Sequence, residues 1–288
     1  MATKKKNEKA EIQVVEIQRG RVEFCIKGIT PLICNRLSQK AQRELLFPAP
    51  KKNATARAST LKHDPIAEFQ ASPYTAKSKD SPTHIEGLSS WFHNAMADAA
   101  LDLEGTNKSQ IGRLTWVESD RVSIYGIPEL LMATTRQANQ QRTPDIRSRV
   151  IVPKWACRIA VTFTKPLLNP TAVTNLVVCA GLTQGVGDWR TQKGKGNYGA
   201  FEIVAANDPE FVSIMKHGGR ASQVAAMENP ACYDDETADL LSWFQSEVVS
   251  RGRQEELKPS EAVSQNGHAK KTTRRSRKRT AARVRTAV

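Results

Sequence analysis

Residues 155–163 read Trp155-Ala-Cys-Arg-Ile-Ala-Val-Thr-Phe163, and an apolar side chain occupies every second position. This period-two alternation is typical of a strand with one buried face, so it predicts a strand at the centre of the fold. Shortly afterwards, Asn169-Pro170 predicts the start of a helix, because asparagine caps helices and proline is favoured at the first helical position. That helix is expected to reach Ala180 and to lead, through a glycine-rich stretch, to a further strand at 201–204.

The same patterns predict further elements upstream and downstream of this segment. They are a strand at 22–26, a short helix capped by Ser38 with Ala41 and Leu45 on its apolar side, a helix at 87–103, a hairpin of two strands at 114–118 and 121–125, and helices that begin at Asp208 and Asp234. Strands and helices in this order indicate an α+β fold. A ferredoxin-like or RRM-like core with long loop insertions fits the order.

Two segments carry too few apolar residues to form buried elements. Residues 48–60 and 134–149 are therefore expected to be mobile loops. The chain accordingly divides into a flexible basic arm at 1–11, one α+β domain that binds nucleic acid at 12–251, and a disordered basic tail at 252–288.

The net charge of +14 is concentrated near the end of this 288-residue chain. From Ala262 to Val288 there are nine lysines and arginines and no acidic residue. Such a block attracts polyanions, and a tail that only improves solubility is the alternative. The tail cations expected to contact nucleic acid are Lys270, Lys271, Arg274, Arg275, Arg277, Lys278 and Arg279.

Several classes of function receive no support from the sequence. No apolar run approaches the roughly 20 residues that span a bilayer, and the polar start does not resemble a signal peptide, so a cytoplasmic protein without membrane contact is expected. The five cysteines form no C-x-x-C pair, and the five histidines show no ligand spacing such as H-E-x-x-H. We therefore predict no metal, no cofactor and no catalytic residue, and expect the protein not to be an enzyme.

The segment 185–199 is the most informative for function. It reads Gly185-Val-Gly-Asp-Trp-Arg-Thr-Gln-Lys-Gly-Lys-Gly-Asn-Tyr-Gly199. A Walker loop needs Ser or Thr where Gly196 stands, and a dinucleotide-binding loop follows a strand rather than a helix, so neither site is predicted. Glycine amides beside cations can cradle phosphate, and Trp189 and Tyr198 offer faces on which bases can stack. A flexible surface turn is the alternative.

Apart from the tail cations, the residues predicted to contact nucleic acid fall into four groups. The phosphate cradle is predicted from the amides of Gly185, Gly187, Gly194, Gly196 and Gly199. Side-chain contacts in the same loop are predicted for Trp189, Arg190, Lys193, Lys195 and Tyr198. Because arginine pairs well with phosphate, contacts are also predicted for Arg136, Arg142, Arg147 and Arg149. The fourth group, for which a merely solvated helix face is the alternative, is Arg36, Lys40 and Arg43.

A helix, then a loop rich in glycine, arginine and lysine, then a strand resembles the glycine-rich loop of the RAMP superfamily, over residues 185–201. That superfamily includes the backbone subunits that coat guide RNA in CRISPR effector complexes. The resemblance implies a RAMP-type core, contact with a nucleic-acid backbone and several copies along one strand. Some backbone subunits cut target RNA through an aspartate in a loop. Asp188 lies in the glycine loop here, but no motif marks it as catalytic.

Three blocks of sequence resemble a family of phage and prophage proteins without an established enzymatic activity. They are Gly28-Ile-Thr-Pro-Leu-Ile-Cys-Asn-Arg-Leu-Ser-Gln-Lys-Ala41, Phe92-His-Asn-Ala-Met96 and residues 185–203. Many members have Ile/Leu-Pro ahead of the second block, whereas this chain has His84-Ile-Glu-Gly87. The resemblance implies a phage or prophage origin, with a different entry to the helix that carries Phe92.

These features predict non-catalytic binding of single-stranded DNA or RNA through the phosphate backbone, in phage replication, recombination or nucleic-acid protection. Self-association along the strand is expected from the RAMP resemblance. Two alternatives stay open. One is a structural or interaction protein of a phage that is tethered to nucleic acid by its basic tail. The other is a metal-dependent nuclease acting through Asp188 and other carboxylates, against which the lack of clustered acidic ligands argues.

Overall fold

A computed structural model confirms the strand predicted at 155–163, as β9 at Ala156–Lys165. It pairs antiparallel with β1 at Gln18–Gly28, and the register runs from Gln18 opposite Lys165 to Lys27 opposite Ala156. The alternation has the predicted consequence, because the side chains that it places on one face are all buried: Trp155, Cys157, Ile159, Val161 and Phe163.

The structure describes residues 16–37, 39–47, 61–136, 143–193 and 196–253. Their strands are β1 and β9 as above, β2 Leu32–Cys34, β3 Tyr74–Thr75, β4 Ile85–Leu88, β5 Thr115–Val117, β6 Arg121–Ser123, β7 Glu129–Arg136, β8 Pro144–Val152 and β10 Phe201–Val204. Their α-helices are α1 Gln39–Leu46, α2 Pro65–Ala71, α3 Ser89–Ala99, α4 Lys108–Leu114, α5 Pro170–Cys179, α6 Pro209–His217, α7 Arg220–Glu228 and α8 Asp235–Ser250. A π-helical turn at Ala180–Gln184 extends α5, and short 3₁₀-helices lie at Ala100–Asp102 and Thr191–Lys193.

β1 and β9 form the middle of a four-stranded antiparallel sheet with the order β10-β1-β9-β5. In the chain, α3 comes between β1 and β5, and α5 comes between β9 and β10. Both helices contribute to the main core, where Phe92 of α3 and Val173 of α5 join Phe24 and Ile26 of β1. The rings of Phe92 and Phe201 meet edge-on with centroids 5.7 Å apart. The elements of this layer thus follow the order strand, helix, strand, strand, helix, strand.

The opposite face of the same sheet is partly covered by α6. Phe211 and Ile214 of that helix are buried against Ala156, with Cys25 and Val204 beside them. Asp208 caps the helix as predicted, since its carboxylate accepts from the amide of the third helical residue. The sheet is therefore packed on both faces over its central part.

Two three-stranded antiparallel sheets, β2-β8-β7 and β3-β4-β6, complete the described fold. The fully buried amide of Gln223 in α7 ties the second of them in place. Its Oε1 accepts from the backbone amides of His84 and Ile85, at 2.7 and 2.9 Å. The two hydrogens of its Nε2 are shared among the backbone carbonyls of Ile124, Gly126 and Gly218.

The α+β class is confirmed, with antiparallel sheets throughout the described residues. All described residues belong to one compact unit. The predicted arm at 1–11, the predicted loop at 48–60 and the predicted tail from 254 onward lie outside the described residues. No helix of the described part is long and apolar enough to cross a membrane.

The predicted hairpin at 114–118 and 121–125 is wrong. Both strands exist, but β5 pairs with β9 in the four-stranded sheet, whereas β6 pairs with β4 in another sheet. Between them Ser119 adopts a positive φ of 66°. The chain thus leaves one sheet and enters the next instead of folding back. Leu114 belongs to α4, which the sequence did not predict.

The helix predicted at 87–103 is confirmed in its centre and wrong at its start. Phe92, Ala95 and Ala99 are buried along α3, as their helical spacing indicates. Gly87 and Leu88, however, belong to β4, which pairs with β6. β4 ends at Leu88 and α3 begins at Ser89, so the period-two pattern of a strand passes without a break into the 3.6-residue pattern of a helix.

The mobile loop predicted at 134–149 is wrong for its described part, because β7 continues to Arg136 and β8 begins at Pro144. The strand pattern of β8 was hidden because two of its buried positions hold polar residues, Asp145 and Ser148. Buried polar groups need partners from elsewhere in the fold, which local sequence does not reveal. Residues 137–142 lie outside the described residues.

The short helix predicted after residue 38 is present as α1, but its expected apolar side is not buried. Leu45 is 75% exposed. The predicted cap, Ser38, and the side chain of Ala41 lie outside the described residues.

Candidate nucleic-acid interface

The glycine-rich loop, residues 185–199, is held against β2 by backbone hydrogen bonds. The amide of Asp188 donates to the carbonyl of Ile33 at 3.0 Å, and the amide of Gly199 donates to the carbonyl of Pro31 at 2.8 Å. The two ends of the loop meet where the amide of Val186 donates to the carbonyl of Gly199 at 2.9 Å. Val186 is fully buried, so the base of the loop is a fixed part of the fold.

Close backbone packing explains why glycine is needed at two of these positions. Gly199 has a φ of +73°, and a Cβ atom there would lie 1.8 Å from the carbonyl oxygen of Val186. Gly187 has a φ of +80°, and a Cβ atom there would lie 2.7 Å from the carbonyl oxygen of Ile33. Any larger residue would have to displace the backbone that anchors the loop.

The predicted phosphate cradle loses two of its five positions. The amides of Gly185 and Gly199 donate to carbonyl groups of the chain itself. An amide carries one hydrogen, so an amide bound in this way is not available to a phosphate oxygen. Gly187 and Gly196 stay candidates, and Gly194 lies outside the described residues.

The carboxylate of Asp188 is bound by side chains from two neighbouring segments. Nδ2 of Asn35, just after β2, donates to Asp188 Oδ2 at 2.9 Å. Nη1 of Arg149, in β8, donates to the same oxygen at 2.7 Å. The two side chains of this ion pair are only 12% and 14% exposed. The carboxylate therefore fixes the loop, and its charge is neutralised within the protein.

Arg149 also positions the aromatic residues of the loop. Its guanidinium carbon lies 5.0 Å from the ring centroid of Trp189. Trp189 in turn faces Tyr198, with centroids 6.2 Å apart and ring planes tilted by 51°. Both rings are half-buried and pack on Ile33 and Leu131. Each ring is thus held in place while part of it stays open to solvent.

Arg149 and Arg147, both predicted to contact phosphate, form ion pairs with carboxylates of the protein itself. Burial lowers the pKa of the Arg149 guanidinium from its ordinary value, more strongly than the charge of Asp188 raises it. Its charge is matched by Asp188, so it acts as an internal support of the loop. Arg147 is more exposed, and its Nη2 pairs with Asp145 at 3.0 Å.

The carboxylate of Asp145, near the start of β8, forms ion pairs with several basic side chains. Its side chain is 1% exposed and accepts from Lys62 Nζ at 2.6 Å, in addition to Arg147. Nε2 of His63 lies 2.9 Å from Asp145, and Nδ1 of the same ring lies 2.5 Å from Glu68. The hydrogen bond with Glu68, helped by Asp145, raises the pKa of His63 above its usual value. A buried carboxylate needs such partners, so these cations serve the fold.

The second arm of the loop is tied to α3. Nε of Arg190 donates to Oε1 of Gln192 at 2.8 Å. Nε2 of Gln192 donates to the carboxylate of Asp98, which also pairs with Lys108. Asp98 is buried, so this network restrains the 3₁₀-helix at the tip of the loop.

Only some of the remaining predicted cations lie in the described part of the chain. Arg43 on α1 and Arg136 at the end of β7 are exposed. The backbones of Lys40 and Lys193 are described and their side chains are not. Outside the described residues lie Arg142, Lys195, Lys270, Lys271, Arg274, Arg275, Arg277, Lys278 and Arg279.

Arg36 lies ahead of α1 and not on it, and it belongs to a cluster that the sequence did not predict. Its guanidinium carbon is 5.5 Å from the ring centroid of Tyr74, and that of Arg121 is 4.4 Å from the same centroid. The ring of Tyr74 meets Trp91 edge-on, with centroids 6.3 Å apart. Each cation–π contact contributes about 0.5–1 kcal/mol at an exposed position. No sequence signal brings these four residues together, because they come from separate elements.

Among the described residues, no group of three or more His, Cys, Asp or Glu side chains is placed to hold a metal ion. Asp188, the candidate of the nuclease alternative, is engaged by Arg149 and Asn35. The described geometry thus offers this carboxylate a structural role.

No protein-family model and no curated protein sequence matches the chain. Among the solved structures that are similar to it are the following two. Cmr6 from Pyrococcus furiosus is 11% identical, with a TM-score of 0.32, over 65% of this chain and 98% of that one. A chain of the Type III-B Cmr-beta complex bound to cognate target RNA is 10% identical, with a TM-score of 0.29, over 64% of this chain and 59% of that one. These TM-scores are too low to carry an argument about the function of this protein.

Proposed function

We propose that the protein binds single-stranded nucleic acid and does not act on it chemically. The observation that carries the proposal is the Trp189–Tyr198 pair, two half-exposed rings in a loop whose base is fixed by β2. Every base has a π-face, so a fixed aromatic pair binds a strand with little sequence preference. The rings need no ordering when the strand arrives, which favours binding.

The charge of the loop suits a phosphate backbone. Asp188 is the one acidic residue in 185–199, and Arg149 neutralises it inside the protein. The other charged residues of the segment are the cations Arg190, Lys193 and Lys195. Cations beside a stacking surface are the combination that non-specific single-strand binding uses.

The core that carries the loop fits the same proposal. Its order of strand, helix, strand, strand, helix, strand is that of a ferredoxin-like unit, and we propose that the four-stranded sheet is one. The loop lies between the second helix and the last strand of this unit, in line with its resemblance to the glycine-rich loop of RAMP proteins. Assembly of several copies along one strand, in a phage or prophage, is part of the proposal.

Fluorescence anisotropy with labelled single-stranded DNA, single-stranded RNA and duplex tests the proposal. The full-length chain is used with all nine lysines and arginines of 262–288 changed to glutamine, a background that we call the tail-neutral protein. Trp189→Ala is expected to weaken binding by about 1–3 kcal/mol, the usual contribution of one stacked base. Trp243→Ala is the matched control, because Trp243 is 62% exposed on α8, outside the loop; it should bind like the tail-neutral protein.

A second variant tests the cations of the loop. Changing Arg190, Lys193 and Lys195 to glutamine should make the dependence of log Kd on log salt concentration shallower by about 2, since each phosphate contact on a single strand contributes about 0.7. If the tail-neutral protein binds no strand, the basic tail is the sole contact and the tethered structural protein is the better description. Strand cleavage that depends on added magnesium would instead favour the nuclease.

A further inference from the structure

The solvent face of the sheet β3-β4-β6 carries a second cationic surface. Side chains directly opposite each other in an antiparallel pair lie on the same face. The register places Tyr74 opposite Glu86, and Arg121 opposite Leu88, two residues further along β4. Tyr74 and Arg121 therefore share one face, while Ile85 and Val122 lie on the buried face.

Two arginines meet at the ring of Tyr74. The guanidinium of Arg121 reaches it from the neighbouring part of the sheet, and that of Arg36 reaches it from the segment after β2. Both lie within 5.5 Å of one centroid, so their charges are separated by no more than about 10 Å, the Debye length in 0.1 M salt. Like charges at this separation repel, and a bound anion would offset the repulsion.

No carboxylate in the described part of the chain forms an ion pair with either Arg36 or Arg121. Glu86 is the acid opposite Tyr74 in the sheet, and it pairs with neither. This distinguishes the two residues from Arg147 and Arg149, whose charges are matched by Asp145 and Asp188.

The platform under these charges is rigid. Trp91, at the start of α3, meets Tyr74 edge-on and packs on the main core. A Cβ atom on Gly87 would lie 3.1 Å from the Trp91 ring, so the glycine lets the indole lie close to β4. A planar guanidinium that is held on an aromatic ring loses less freedom when it binds an oxyanion.

The surface adjoins the glycine-rich loop through two consecutive residues. The side chain of Asn35 donates to Asp188 of the loop, and the next side chain, Arg36, lies over Tyr74. Consecutive Cα atoms are about 3.8 Å apart. The glycine-rich loop and the two arginines are therefore connected through adjacent residues of one segment.

We propose that Arg36 and Arg121, held on Tyr74, bind a backbone phosphate of the same single strand that the glycine-rich loop holds. This inference rests on the proposed function and adds a second contact point to it. The ligand is a phosphodiester bound by two guanidinium groups. The bases at this point do not stack on Tyr74, because the guanidinium groups of Arg36 and Arg121 lie against its ring.

The test measures anisotropy in the tail-neutral protein, with labelled oligonucleotides of increasing length. Changing Arg36 and Arg121 together to glutamine should weaken the binding of long strands about tenfold or more, because charged hydrogen bonds are lost. The dependence of log Kd on log salt concentration should become shallower by about 0.7, which corresponds to one phosphate contact on a single strand. Strands short enough to fill only the loop should bind as before.

Three further variants make the result specific. Arg113→Gln with Lys216→Gln removes two exposed charges on α4 and α6 and should change neither quantity. Glu86→Gln removes the acid on the same face and should strengthen the binding of long strands. Arg36→Lys with Arg121→Lys keeps both charges, so the salt dependence should be retained while the affinity falls. Thermal unfolding of each variant reports whether its fold is intact.

Two results would overturn the inference and can be told apart. If the glutamine pair binds long strands like the Arg113/Lys216 control while Trp189→Ala still weakens binding, the second contact does not exist and the proposed function stands. If the tail-neutral protein binds no strand of any length, both the inference and the proposed function fail.

Discussion

Nη1 of Arg149 lies 2.7 Å from Oδ2 of Asp188, and the same guanidinium stands 5.0 Å from the centroid of Trp189. One cation from β8 thus neutralises the acid of the glycine-rich loop and supports its aromatic ring. The sequence alone predicts that Arg149 contacts the ligand. In the structure Arg149 supports the surface on which the proposed ligand would lie.

Asp188→Asn should destabilise the protein by about 1–3 kcal/mol, because Arg149 would keep its partly buried position and lose its anionic partner. It should also weaken binding to single strands, although it makes the loop more positive. Urea unfolding and anisotropy measure the two effects. Asp80→Asn, at an exposed position, controls for the change in net charge. Tighter binding by Asp188→Asn would mean that charge alone, and not the position of the loop, determines affinity.

Gly199→Ala and Gly105→Ala separate two effects of adding a Cβ atom. Both glycines have φ near +70°. A Cβ atom added at Gly105 would have no other atom within 4 Å, whereas one added at Gly199 would lie 1.8 Å from the carbonyl oxygen of Val186. Gly105→Ala should cost about 1 kcal/mol, the backbone penalty alone. Gly199→Ala should cost at least about 3 kcal/mol, and chemical unfolding measures the difference. Equal losses would show that the loop base can move aside.

Gln223→Leu should destabilise the protein by at least about 3 kcal/mol, since each buried polar group that is left without a partner costs about 1–3 kcal/mol. The variant would leave the amides of His84 and Ile85 without this acceptor and the carbonyls of Ile124 and Gly126 without this donor, whereas the carbonyl of Gly218 keeps the amide of Gly126. Gln70→Leu is the control, because Gln70 donates one hydrogen bond, to the carbonyl of Met227. Its loss should be about 1 kcal/mol. If both variants lost a similar free energy of unfolding, Gln223 would not have the proposed role of connecting the sheet β3-β4-β6 to α7.

His63 should make stability depend on pH in a defined direction. Its pKa is raised in the folded protein by Glu68 and Asp145, so the folded state binds a proton more tightly than the unfolded state. The resulting stabilisation is fully present below the unfolded pKa of about 6.5 and is lost as pH rises through the folded pKa. Urea unfolding at a series of pH values should therefore show a decline that His63→Gln lacks. His217→Gln, at an exposed position on α6, should keep the wild-type profile.

The sequence predicted best where one residue pattern meets one buried face. The alternation at 155–163 and 22–26 led directly to β9 and β1, because each strand has one face in the main core. The same holds for α5, whose Asn169 caps the helix through its side chain as predicted. Local patterns do not identify the partner of a strand, so β5 and β6 were joined in a hairpin that does not exist.

The sequence pointed to the segment of the candidate site but did not reveal the contacts that shape it. Glycines, cations and aromatic rings pointed to 185–199, but which charges are neutralised depends on contacts between distant segments. Arg149 and Asp188 are far apart in the sequence, as are Arg36 and Arg121. The sequence therefore did not distinguish the paired arginines from the unpaired ones.

β2 pairs with β8 through one of its edges, and the amides of the glycine-rich loop bind the carbonyls of Pro31 and Ile33 on the other. An uncovered strand edge is a template for pairing with a second chain, and so for aggregation. The glycine-rich loop thus also covers the edge of β2 that β8 leaves open. Variants that detach the loop from β2 should lower the solubility of the protein as well as its affinity for nucleic acid. A bound nucleic-acid strand that stabilises the loop should keep the protein in solution.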